Sequence, residues 1–215
     1  MEGVFASFHS SRDRRHVETL VPAIDFVCEQ ARISYDEIGV IAVDNGPGLY
    51  TGLRVGMSAA KVMAQALRIP MLSFSSLDLL SFPLRFSKRP IISVIDAKRG
   101  EVFYAKYLPV VGGVQRVSEY AVGTAEKLAV ELQADQQEVL LVGDGVLRYE
   151  KEFSNIENVE LTSTEEAFPS ASSIVALSQA PAQREDFVQP RDIEPLYLRK
   201  SDAEINWEKK NASAG

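Results

Sequence analysis

Apolar residues along the chain fall into helical and extended spacings that alternate from end to end. Val17, Leu20, Val21, Ile24, Val27, Cys28 and Ala31 recur at intervals of three and four, which is one face of an amphipathic helix. Pro22 bends that helix unless it sits in the first turn. Upstream, residues 4–8 alternate loosely and predict a short strand, followed by a charged loop over residues 12–15. Residues 38–43 form a continuous apolar run after an acidic turn, the pattern of a strand buried on both faces. A turn with Gly46, Pro47 and Gly48 then leads into an alanine-rich helix ending near Leu67. Pro70 closes that unit, residues 71–74 predict another strand, and Ser75 or Ser76 caps a short helix through Leu80.

Beyond residues 83–89 the texture changes. Residues 91–95 and 102–108 read as two strands of a hairpin around a turn at 96–100, with a further strand at 114–120 after Gly112-Gly113. Thr124 caps a helix running to Gln133, and residues 139–142 are a buried strand ending in Gly143-Asp144-Gly145. Pro169 and Ser170 open a last helix, residues 195–198 are extended, and from Ser201 the tail is polar. Two α/β units therefore meet near residue 88, with a largely parallel sheet expected in the first and antiparallel hairpin strands in the second.

Composition narrows the function. A length of 215 residues suits one large domain or two small lobes. The net charge of −7 argues against a protein that grips an RNA backbone alone, so any role in RNA chemistry runs through a partner protein. The single cysteine, Cys28, excludes an internal disulfide framework and fits a reducing compartment. It reads as a small buried hydrophobe, with a reactive thiol as the alternative. No apolar run reaches the roughly 18–20 residues that span a bilayer, and no signal-peptide pattern opens the chain. Cytoplasmic localisation without membrane contact is the expectation.

The most informative segment runs from Asp44 to Gly56. Gly46 and Gly48 permit a tight turn and Pro47 stiffens it. A helix opening at Thr51 exposes unpaired amide donors that suit an anion or a partner's acceptors. Thr51 is the expected cap, worth about 0.5–2 kcal/mol. Glycine within a helix costs about 1 kcal/mol relative to alanine, yet Gly52 and Gly56 lie four apart on one face that Ala59, Ala60 and Ala64 continue. Close approach of another backbone explains the tolerance. Either the chain's own sheet makes that approach, or an intermolecular helix–helix interface does, joined by the helix over residues 17–31.

The stretch GPGLYTGLRVGMSAAKVMAQALRIPMLSFSSLDLL, Gly46 to Leu80, resembles the GPGSFTGxRIG motif of the TsaB (YeaZ) family with its helix, strand and Ser-Ser-Leu-Asp turn. Further matches keep the family's order. His16 begins a helix with Glu18, Leu20 and Pro22; Asp96-Ala97-Lys98-Arg99-Gly100-Glu101-Val102 is similar to IDARxGEVY. Val142-Gly143-Asp144-Gly145 and Pro195-Leu196-Tyr197-Leu198-Arg199 resemble the later glycine turn and the terminal P-x-YLR. The resemblance implies a two-lobed actin/Hsp70-like (ASKHA, RNase H-like) α/β fold, mixed sheets flanked by helices. Its lobes are residues 1–88, with the partner-binding helices, and 89–200; residues 201–215 form a flexible tail.

It also implies a non-catalytic partner subunit of the complex that forms N6-threonylcarbamoyladenosine in tRNA beside the anticodon. The implied partners are a TsaD-type catalytic subunit, a TsaE-type ATPase in the larger complex, and a second copy of the chain through the same helices; tRNA is reached only indirectly. The implied partner surface comprises His16, Leu20 and Ile24 with Tyr50, Thr51, Gly52, Arg54, Val55, Gly56, Ala59, Ala60 and Met63. Gly46, Pro47, Gly48 and Thr51 form a loop with a possible anion site.

No catalytic residue, metal or cofactor of its own is expected; ATP and metal belong to the partner subunits. The two positions matching the metal-binding histidine pair of the catalytic paralogues carry Ser76 and Leu80, neither a suitable ligand. His9 and His16 are the only histidines and read as surface or capping residues. Where related phosphotransferases have small residues in a phosphate-cradling hairpin, this chain has Lys98 and Arg99, which either touch phosphate or RNA or form a solvated turn. Asp144 suits a nucleotide or a plain turn. The alternative function, a stand-alone phosphotransferase or metallopeptidase-like enzyme, needs a phosphate hairpin or a metal pair.

Residues 4–8 match the family's third strand, and its first hairpin has no counterpart, so the first lobe is expected to be N-terminally truncated with exposed strand edges. Either the natural chain extends upstream of Met1 by about 20 residues, two short strands and a turn, or the hairpin is lost. Leu49 and Tyr50 stand where the family commonly has Ser and Phe, which removes a hydroxyl from the turn.

Overall fold

The apolar run over residues 38–43 yields a four-residue strand, β1 (Ile41–Asp44), parallel to β2 (Met71–Phe74). These and the elements below come from a computed structural model that describes residues 3–10 and 16–199. Helix α2 (Tyr50–Leu67) connects the two strands and turns Leu53, Met57, Ala60 and Ala64, at spacings of four and three, into a cluster with Ile41, Val43, Met71 and Ile193. It ends on Arg68, whose left-handed backbone (φ 57°) lets its amide reach the Ala64 and Gln65 carbonyls. Helix α1 (His16–Ala31) packs on α2, and α7 (Ala171–Gln183), capped by Ser170, lies against both strands. Pro22 falls inside α1 beyond its first turn, at an exposed position.

Two expectations fail here. Residues 4–8 form no strand, because none of the described residues offers them a hydrogen-bonding ladder; their side chains lie outward or against α1, with Phe8 edge-on to Phe26 at 6.3 Å. For the same reason β1 is half-buried along its length and not buried on both faces: among the described residues it has β2 on one side only. The loop at residues 12–15 and the tail from residue 201 lie outside the described residues.

Among the described residues the second sheet has six strands. In the order β5 (Gly113–Arg116), β4 (Glu101–Val110), β3 (Ile91–Lys98), β7 (Val139–Val142), β8 (Val159–Leu161), neighbours are hydrogen-bonded, and β6 (Ala121–Thr124) pairs with β4. β3 is antiparallel to β4 and parallel to β7, so the sheet is mixed. Alternation along β3 serves two cores. Ile92 and Val94 meet Leu128 and Leu132 of α4 (Ala125–Ala134) and Phe153 of α6 (Glu150–Phe153). Ile91, Ile95 and Ala97 meet Leu77 and Leu80 of α3 (Ser76–Ser81) with Phe103, Ala105 and Tyr107. Each fully buried large aliphatic side chain contributes about 1.5–3 kcal/mol, which makes this doubly covered strand the stable centre of the molecule.

The strand expected over residues 114–120 stops at Arg116, and a separate strand follows at Ala121–Thr124. The Lys106 amide turns to the Ser118 hydroxyl (2.9 Å), the chain leaves the ladder, and β6 rejoins the same edge of β4 at Glu101–Tyr104. Gly143-Asp144-Gly145 opens a short helix, α5 (Asp144–Arg148), and not a bare turn. Gly143 has φ 123°, and a Cβ there would stand 2.1 Å from the Val94 carbonyl oxygen. The glycine is required for α5 to lie on β3.

Candidate functional site

The Gly46-Pro47-Gly48 loop is held from beneath. Asp44, at the end of β1, accepts the Gly46 amide (2.8 Å) and the Ser76 hydroxyl (2.7 and 2.9 Å), while the Ser76 amide donates to the Gly46 carbonyl (2.7 Å). Burial pushes the Asp44 carboxyl up, and the Ser76 hydroxyl and Gly46 amide oppose it. Gly46 has φ 99°, and a Cβ would crowd both Leu53 methyls at 3.1 and 3.2 Å. Gly46 and Pro47, joined by a cis peptide bond, are buried; Gly48, Leu49 and Tyr50 are exposed. The cap is Leu49, not Thr51, and it makes no side-chain capping bond. The loop already closes at Leu49, whose carbonyl takes the Leu53 amide at 3.0 Å, so Thr51 falls inside the first turn.

From this loop α2 presents Tyr50, Thr51 and Arg54 to solvent, with Gly52, Val55, Gly56, Ala59 and Met63 half-buried beside them. Ala60 faces the chain's own first-sheet core. A Cβ on Gly56 would meet nothing within 4 Å, so packing against this chain's own sheet is not what keeps that position small. Leu20 and Ile24 are half-buried on α1, Cys28 is buried, and the side chain of His16, which opens α1, lies outside the described part. Val21, Phe26, Leu49 and Val62 add exposed apolar surface on the same two helices.

The structure adds a residue that helical periodicity does not place there. Tyr197 stacks on Tyr50, with ring centroids 5.3 Å apart, and its hydroxyl accepts the Arg54 Nε–H at 3.1 Å. The Arg54 guanidinium lies 4.1 Å from the centre of the Tyr50 ring. The signal was present as the Pro195–Arg199 motif, but an extended segment carries no spacing that docks it on a helix.

A second grouping forms at the β3–β4 turn. Asp96 accepts the Lys98 amide (2.8 Å), the Lys98 ammonium (2.6 Å) and the Tyr149 hydroxyl (3.2 Å). Burial alone would raise the Asp96 carboxyl; the Lys98 ammonium and amide outweigh it and hold the group below the usual carboxylate range. Asp144 accepts the Asp96 amide at 3.0 Å, and burial pushes its own carboxyl up. Asp96, Lys98, Arg99, Gly100, Arg148 and Tyr149 surround a cavity of about 340 Å³. Arg148 and Tyr149 carry no recognisable motif of their own.

Ser76 and Leu80 are buried, the first bonded to Asp44 and the second in the core; His9 is exposed. Among the described residues no group of three or more His, Cys, Asp or Glu could hold a metal ion, and no helix is long and apolar enough to cross a membrane.

Comparison with known proteins decides the family. A model described as TsaD, tRNA N6-adenosine threonylcarbamoyltransferase, matches residues 4–207. The chain belongs to this family. Within it, the chain groups with the TsaB/YeaZ proteins. The TsaB protein of Haemophilus influenzae, named for tRNA threonylcarbamoyladenosine biosynthesis, is 25% identical over 205 residues, 91% of this chain and 84% of that one. The Bacillus subtilis TsaB protein is 25% identical over 207 residues, covering 95% and 88%. A solved Pseudomonas aeruginosa structure, described as similar to peptidase YeaZ, superposes with a TM-score of 0.75 at 24% identity over 89% of this chain and 92% of that one. The shared architecture is the ASKHA-like α/β fold of mixed sheets flanked by helices.

Proposed function

We propose that this chain is the non-catalytic partner subunit in the formation of N6-threonylcarbamoyladenosine in tRNA, docking a TsaD-type catalytic subunit through α1, α2 and the Gly46–Thr51 loop. The relatives named as tRNA threonylcarbamoyladenosine biosynthesis proteins support the pathway. The observation that carries the docking role is Gly56: a helix-interior glycine with open space where its side chain would be, on the α2 face it shares with half-buried Gly52, Ala59 and Met63. Small residues that let another backbone approach, with an aromatic and an arginine exposed at the same end of the helix, are the makings of an interface. The same face serves a homodimer, which the catalytic subunit displaces, and a TsaE-type ATPase joins the larger cytoplasmic complex. ATP and metal chemistry stay with those partners, and tRNA is held chiefly by them.

Gly56→Leu tests the reading with a sign that separates folding from docking. Leucine is the better helix former by somewhat under 1 kcal/mol and has room, so the monomer stays folded and gains slightly in thermal stability. Overpacking at the interface costs about 1–3 kcal/mol or more, so affinity for the TsaD-type subunit falls about fivefold or further. Size-exclusion chromatography with light scattering, with and without that subunit from the same organism, reads both. A folded variant that binds as well as wild type removes α2 from the interface.

A further inference from the structure

We propose that the cavity beside the β3–β4 turn holds a backbone phosphate of RNA, an inference that rests on the tRNA-modification role above. Three cationic side chains, Lys98, Arg99 and Arg148, converge on its 340 Å³ in a chain whose net charge is −7. Charge-assisted donors of this kind are what a phosphate requires.

The turn's backbone points the same way. Lys98 pairs with Glu101, leaving Arg99 and Gly100 as a two-residue hairpin turn with φ 59° and 82°. That geometry is best served by Asn-Gly or Asp-Gly. Arginine has no conformational reason to stand there, and Lys98 before it is also left-handed at φ 65°. Two consecutive long cations in a backbone region that disfavours them is the kind of local strain found at working sites.

Asp96 neutralises Lys98, whose ammonium it holds at 2.6 Å, so Arg99 and Arg148 are the cations that remain in the lining. The Asp96 side chain is only 5% exposed, and its oxygens are filled by Lys98 and Tyr149. Asp144 faces the β3 backbone. A Cβ on Gly100 would meet nothing within 4 Å, so that side of the turn is open. Tyr149 is the one aromatic residue in the lining, and its hydroxyl is committed to Asp96. The walls therefore suit a phosphate on a strand better than a nucleotide that must also place a base.

The test pairs Arg99→Asn with Arg148→Gln. Asparagine suits the turn, so lost binding in that variant does not come from lost folding. Fluorescence anisotropy would follow an unmodified tRNA transcript across a salt series, with the chain alone at low salt and with its complex with the TsaD-type subunit. Pyrophosphate and ADP serve as competitors. The double variant should bind RNA several-fold more weakly, with a salt slope shallower by about one to two, and ADP should displace RNA from wild type no better than pyrophosphate at equal ionic strength. Identical affinity and slope for wild type and variant, alone and in complex, overturn the proposal. So does variant-sensitive binding of pyrophosphate or ADP with RNA binding unchanged, which makes the cavity a small-molecule site. Light scattering on the same samples reads docking separately: failure of the wild-type chain to form a complex sinks the partner role, while the chain's own salt slope still reports on the cavity.

Discussion

Asp44 carries an anionic group into a half-buried strand end because two donors, the Ser76 hydroxyl and the Gly46 amide, are fixed on it. They do not fully offset desolvation, and the carboxyl sits above its ordinary value of 3.8. The sign of the pH effect follows. In the window from 3.8 up to the folded value, the folded chain holds this proton more tightly than the unfolded chain. The resulting stabilisation is complete below the window and is lost as pH rises through it. Asp44→Asn removes the titration while keeping an acceptor for both donors. The unfolding free energy of wild type relative to the variant should therefore decline as pH rises from the ordinary carboxylate value through the folded one. Urea unfolding of both proteins across that range measures it. A rising difference would mean that the hydrogen bonds outweigh burial and that Asp44 is held charged.

At the scale of elements, α3 shows how one carboxylate joins a short helix to a sheet. Ser75 and Asp78 exchange hydrogen bonds across the first turn (3.0 and 3.2 Å), and the same Asp78 carboxylate accepts the Tyr107 hydroxyl (2.8 Å) and the Tyr120 hydroxyl (3.0 Å). Burial first, and then Asp78, push the Tyr107 hydroxyl far above its ordinary value, so it stays a donor. Asp78→Ala strips the cap and leaves the fully buried Tyr107 without its acceptor. The expected cost is about 2–4 kcal/mol, a cap plus an unsatisfied buried donor, seen as a lower urea midpoint with an unchanged slope. A loss below about 0.5 kcal/mol, the range of ordinary surface changes, would show that water replaces the carboxylate. Spacing made α1 legible, the glycine turn and alanine-rich run α2, the Thr124 and Ser170 caps α4 and α7, and two apolar runs around a turn the β3–β4 hairpin, since those signals are local. The missing strand at residues 4–8, the end of β5 at Arg116 and the cap at Leu49 were not legible. Each depends on what lies across space: a ladder partner, the Ser118 hydroxyl, the closure of a loop. The site divides likewise, with the α2 residues readable from glycine and alanine spacing, and Tyr197, Arg148 and Tyr149 not, because Tyr197 meets Arg54 from 143 positions away.

Across the whole molecule, the extended segment at residues 193–199 ties these parts together. Ile193 is buried in the first-sheet core, the Leu196 amide donates to the Asn45 carbonyl (2.8 Å), Leu198 packs on the second-sheet core, and Arg199 reaches Glu101 at the hairpin (2.8 Å). Between these anchors Tyr197 holds Tyr50 and Arg54 in one arrangement on the proposed docking face. A long side chain that must be ordered on binding costs about 0.5–1.5 kcal/mol, so on the proposed docking role a segment that orders two of them beforehand would strengthen the complex without touching the partner. Tyr197→Ala should then lower stability by only about 1 kcal/mol, the worth of an exposed aromatic pair, while weakening the TsaD-type complex by about 5–30-fold, the equivalent of 1–2 kcal/mol. Calorimetric titration gives the affinity, and hydrogen exchange in the first turn of α2 shows whether the helix start has loosened. Faster exchange with unchanged affinity would mean that Tyr50 and Arg54 lie outside the contact. Unchanged exchange with weaker binding would make Tyr197 itself the contact, and the segment a part of the interface, not its brace.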